Sequence, residues 1–78
     1  MLPENELRKI EALGLSVRAH NALMRGYGTV ENALASDTNP LAVPGLGIHT
    51  AEEIALAMKK HGYNIAGTPW DKYLPKQN

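Results

Sequence analysis

Cysteine is absent from the 78 residues. That excludes disulfides and thiolate zinc sites, two staples on which small domains often depend. The absence fits a reducing compartment, and the cytoplasm is the expected location. No apolar run approaches the roughly twenty residues needed to cross a bilayer, and residues 1–11 are too polar for a secretory signal. A soluble chain with no membrane partner is therefore expected. Net charge is lacking as well, because eight Lys and Arg balance eight Asp and Glu. This balance argues against tight non-specific binding to nucleic acid and leaves room only for a local basic face. Nor is there an alternating polar and apolar segment long enough for a strand. What remains is an all-α chain, one domain of four to five short helices whose small core supplies a few kcal/mol of stability.

The most informative stretch is Pro44-Gly45-Leu46-Gly47-Ile48-His49-Thr50-Ala51-Glu52-Glu53-Ile54. Two glycines around one leucine permit φ > 0 and close approach of a partner, while Leu46 can turn inward as a plug. From Ile48 onward, Ala51, Ile54, Ala55 and Met58 recur at helical spacing and predict a helix packed on a core. Its first amides face outward, at the positive end of the dipole. Such a helix start is an anion site, with no glycine side chain to obstruct a phosphate. The same pattern also serves as a plain connection between packed helices. Thr50 with Glu53 fits a capping box starting at Thr50, but a start at Gly47 keeps Ile48 in the apolar stripe and is preferred.

Taken in order, residues 3–13 read as a first helix with Leu7, Ile10 and Leu13 on one side, ended by Gly14. Ser16 is a good N-cap for a second helix, from 17 to about 25, with Val17, Leu23 and Met24 available to its buried face. Gly26-Tyr27-Gly28 breaks the chain, and Thr29 caps a third helix that turns Val30, Ala33 and Leu34 inward. Ser36-Asp37-Thr38-Asn39 is turn chemistry, residues 40–43 form one helical turn, and the longest helix runs to about His61 with Gly62 as its C-terminal cap. Residues 67–78 are expected to be a tail containing proline and tryptophan, outside a domain at 1–66. Within that tail, Trp70 either folds back over the core or anchors a partner.

A weak repeat is present. Leu13-Gly14-Leu15-Ser16-Val17-Arg18 lies over Pro44-Gly45-Leu46-Gly47-Ile48-His49, with Leu23 and Ile54 closing the two windows. The repeat predicts two helix N-termini on one face, Arg18 in the first turn of one and His49 in that of the other. Paired clamps of this kind suit a duplex backbone.

The glycine stretch resembles the second half of a helix-hairpin-helix motif. More widely, Leu15-Ser16-Val17-Arg18-Ala19-His20-Asn21-Ala22-Leu23, Gly28-Thr29-Val30-Glu31-Asn32, Pro44-Gly45-Leu46-Gly47 and Glu53-Ile54 are similar to the C-terminal domain of the bacterial RNA polymerase α subunit, over about residues 7–65. The resemblance implies a helix-hairpin-helix, SAM-like bundle that binds A·T-rich duplex DNA, as a stand-alone relative or an excised domain. By the same resemblance, Arg18 enters the minor groove, Asn21 and Ala22 lie beside it, and Gly47, His49, Thr50 and Glu53 complete the DNA site. Where that family usually carries a lysine pair, this chain has Ile48 and His49, so two phosphate-directed charges are missing.

No enzyme is read here, because Glu52 and Glu53 diverge by about 100° on a helix and no nucleophile or cofactor loop accompanies them. His20, His49 and His61 are scattered on helices and read as surface groups without a metal. The leading expectation is a monomeric DNA-binding domain related to transcription. The alternative is a module that docks on RNA polymerase, sigma factor or another regulator, and a repair or recombination accessory is a third class. A positive face around Arg18, Arg25 and Gly47 favours DNA; an apolar patch around Trp70 and Tyr73 favours protein.

Overall fold

The computed structural model describes residues 11–74. Three α-helices are present among them, α1 (Val17–Gly26), α2 (Val30–Ala35) and α3 (Ile48–Lys60), with 3₁₀ turns at Pro40–Ala42 and Asp71–Tyr73 and no strand. The all-α class expected from the missing alternation is the class observed. The expected first helix falls mostly outside the described residues, which include only its end: Glu11 and Ala12 are helical, and Gly14 (φ 68°) donates its N–H to the Glu11 carbonyl at 3.1 Å.

Each boundary has a local cause. Ser16 caps α1 by accepting from the Ala19 N–H at 3.2 Å, and Thr29 caps α2 by accepting from the Asn32 N–H at 3.0 Å. Gly62 (φ 87°) ends α3 in a Schellman motif, with Tyr63 N–H donating to the Met58 carbonyl at 3.0 Å and Gly62 N–H to the Lys59 carbonyl at 3.1 Å. Gly47 is the N-cap of α3, as preferred from the sequence. Its φ is −94°, so it has no need of the left-handed region, and a Cβ there would meet nothing within 4 Å. The residue that does require positive φ in this hairpin is Gly45, at 83°.

The core is built around Leu23, Val30, Ile54, Met58 and Trp70, all at 1% exposure or less. Leu46 is buried as the expected plug, and the stripe Ala51, Ile54, Ala55 and Met58 faces inward. Trp70 folds back over the core. Its indole N–H donates to the Ala33 carbonyl at 3.0 Å, one of the carbonyls that the last turn of α2 leaves unpaired, and its ring meets Tyr27 edge-on at 5.7 Å. Burial there pushes the Tyr27 phenol up from its ordinary value, because desolvation penalises the phenolate. The Tyr73 hydroxyl donates to Asn39 Oδ1 at 2.7 Å, and the same oxygen accepts from the Leu41 N–H at 3.0 Å, so the last turn is tied to the first 3₁₀ turn.

Three expectations require correction. Val17 is 79% exposed and not part of the buried face, since it lies about 200° around the helix from Ala19. Ile48 is 56% exposed although its spacing matches the stripe of α3. It is the first residue of that helix, where the side chain leans toward the N-terminus and overhangs the edge of the core. His20 is not a surface group: it is half-buried, and its Nε2 is enclosed without a hydrogen-bond partner among the described residues.

Candidate nucleic-acid interface

The two windows of the weak repeat adopt matching local structure. Gly14 and Gly45 both have positive φ, at 68° and 83°, and each is followed by an inward-turned leucine, Leu15 or Leu46. Ser16 and Gly47 then occupy the N-cap positions of α1 and α3. The next residue is an exposed β-branched side chain, Val17 or Ile48, and Leu23 and Ile54 close the windows at 0% exposure. Arg18 and His49 thus hold equivalent first-turn positions and are both exposed.

One hydrogen-bonded unit joins the two helices. In a capping box the N-cap hydroxyl accepts from the third helical amide, while a glutamate three residues on takes the N-cap N–H. Here the third helical position of α1 is Ala19, which has no carboxylate to offer. Glu53 of α3 fills the role instead: Ser16 donates its N–H to Glu53 Oε2 at 2.6 Å and its hydroxyl to Oε1 at 3.0 Å. The carboxylate also lies at the positive end of α1, where an anion is favoured. Glu53 therefore acts on the start of α1, and no capping box forms between Thr50 and Glu53. Thr50 is buried at 9% exposure, facing the core side of α3.

Beside this joint, α1 and the hairpin enclose an open groove of about 670 Å³ lined by Val17, Arg18, Asn21, Ala22, Arg25, Pro44 and Gly45. Arg18, Asn21 and Arg25 recur at i, i+3 and i+7, so they form one stripe along the helix. Ala22 is buried at 3% exposure and supplies the wall beneath them. Gly26 sets the approach of the opposite wall, because a Cβ on it would stand 2.7 and 2.8 Å from the two γ carbons of Val43. Only a glycine at the end of α1 lets the chain before Pro44 lie this close.

Among the described residues no carboxylate pairs with Arg18 or Arg25, whereas His49 Nδ1 lies 3.5 Å from Glu52 Oε1. Described residues contain no group of three or more His, Cys, Asp or Glu side chains arranged to hold a metal, and no helix long and apolar enough to cross a membrane. The structure thus brings Arg18, Asn21 and Ala22 into one groove, sets Gly47 and His49 at the start of α3, and turns Thr50 and Glu53 toward the fold. Sequence reasoning gave no wall-building role to Gly26 or Val43, whose contact joins residues far apart in the chain. Comparisons with protein-family models, curated proteins and solved structures give no match.

Proposed function

We propose that this chain is a non-enzymatic duplex-DNA-binding domain of helix-hairpin-helix type, related in use to transcription and resembling the polymerase α C-terminal domain. The observation that carries the reading is the groove between α1 and the hairpin, with Arg18 and Asn21 on one wall and neither paired to a carboxylate among the described residues. Arg18 enters the minor groove, where a narrow A·T tract concentrates negative potential on an inserted guanidinium. Asn21, one turn further along, hydrogen-bonds beside it. Gly47 leaves the first amides of α3 open to a backbone phosphate, and His49 adds a donor at the same helix start. The domain acts as a cytoplasmic monomer, and its few cations give binding of moderate strength with a preference for A·T-rich duplex.

A titration of the purified chain with A·T-rich and G·C-rich duplexes tests this. With two to four phosphates neutralised, log affinity falls against log salt with a slope of roughly −2 to −4. Arg18→Ala removes most of the affinity and the A·T preference, while the melting curve stays within about 0.5 kcal/mol of wild type because the side chain is exposed. An Arg18→Ala protein that melts normally and binds duplex equally well refutes the reading.

A second reading has its own observation. Val17 and Ile48, the exposed large hydrophobics among the described residues, stand at the first positions of α1 and α3, and two exposed apolar residues at such places suit a protein partner such as polymerase, sigma factor or another regulator. The patch considered around Trp70 is not available for this, since that side chain is 1% exposed.

A further inference from the structure

Resting on the DNA reading above, we infer that Arg25 is a second anchor of the groove, one that holds a backbone phosphate and sets the position of α1 on the duplex. Arg25 lies two turns beyond Arg18 on the same stripe, about 10 Å along the helix axis at 1.5 Å per residue. With Arg18 in the minor groove and α1 running along the duplex, Arg25 reaches a phosphate some three steps further on, at about 3.4 Å of axis per step, with Asn21 between them. The Arg25 guanidinium lies beside the hairpin: its Nη1 is 3.6 Å from where a Cβ on Gly45 would stand, an ordinary van der Waals distance, so the charge sits at the groove between α1 and the hairpin. Pro44, which has no N–H to donate, and Gly45 form a wall with no charge of its own. Arg25 is exposed and pairs with no carboxylate among the described residues.

A position in the last turn of α1 also favours a cation through the helix dipole. That role alone would change the melting temperature and not the release of counterions, so the salt slope separates the two. A phosphate anchor carries no base information, and its loss weakens every duplex by the same factor.

Arg25→Gln and Arg25→Lys are to be titrated with A·T-rich and G·C-rich duplexes of equal length from 50 to 300 mM salt, with circular-dichroism melts of each protein. Expected for Arg25→Gln is an affinity loss on the order of tenfold, equal on both duplexes, with the slope made shallower by about 0.9. Arg25→Lys should restore the slope, as a lysine also neutralises a phosphate. An unchanged slope in Arg25→Gln overturns the inference while the wild-type titration still supports the DNA reading. A loss confined to A·T-rich duplex also overturns it, since that marks a base-reading residue. Wild-type protein that binds neither duplex overturns the DNA reading itself, and the inference with it.

Discussion

A methyl group added at Gly26 would stand 2.7 Å from a γ carbon of Val43, so two effects oppose each other there. Helix propensity favours alanine over glycine by about 1 kcal/mol. Val43 is β-branched and stiff, however, and cannot turn both methyls away, so overpacking of roughly 1–3 kcal/mol outweighs that gain. Gly26→Ala should therefore lower the melting temperature, and Val43→Ala in the same chain should recover most of the loss. Gly47 behaves in the opposite way. Its extended backbone and open surroundings accept a side chain, and a serine there supplies the N-cap hydroxyl that α3 lacks. Gly47→Ser should keep the stability or raise it by a few tenths of a kcal/mol. If the helix start receives a phosphate, the same variant should lose duplex affinity, and a titration beside the melt distinguishes the outcomes.

The three-way contact of Ser16, Ala19 and Glu53 is the main polar tie between α1 and α3. Ser16→Ala removes the cap and should cost about 1 kcal/mol. Glu53→Ala removes the acceptor of two bonds from Ser16 and should cost about 1–2 kcal/mol, discounted because the site is partly open to water. Each change also weakens what the other leaves behind, so a double-mutant cycle in urea should give a coupling of at least about 0.5 kcal/mol. Simple additivity would mean that the two helix starts are held in register by packing alone. If the domain binds duplex as proposed, Glu53→Ala should also weaken that binding through Arg18, because the tie fixes the first turn of α1.

At the scale of the molecule, Trp70 closes the core against α2. A chain of this length has a total stability of about 4–12 kcal/mol, so one large side chain matters. Trp70→Phe keeps most of the apolar area but leaves the Ala33 carbonyl without its donor. The penalty of about 1–3 kcal/mol corresponds, at 4–8 °C per kcal/mol for a domain this small, to a melting temperature lowered on the order of 10 °C. Trp70→Ala adds a cavity to that loss and brings the cost to about 3–5 kcal/mol, which should leave little cooperative melting in a calorimetric scan. If the groove binds duplex as proposed, that binding should be lost together with the fold.

The caps and the periods were legible in the sequence because they are local. Ser16, Thr29 and Gly47 start their helices, Gly62 ends α3, Gly14 turns the chain after the helical Glu11 and Ala12, and the stripe from Ala51 to Met58 is buried, each for a reason contained within a few residues. Even the weak repeat was real at the level of backbone, since positive φ, an inward leucine, an N-cap and an exposed β-branched residue follow one another in both copies. Tertiary structure decided what those local units do to one another. Glu53 completes the cap of a helix that begins 37 residues earlier, a partnership that no helical spacing encodes. Gly26 is a chain breaker by sequence and a spacer by contact with Val43. Ile48 has the spacing of a core residue and is exposed, because periodicity gives a direction around a helix axis but not where along that axis the core stops.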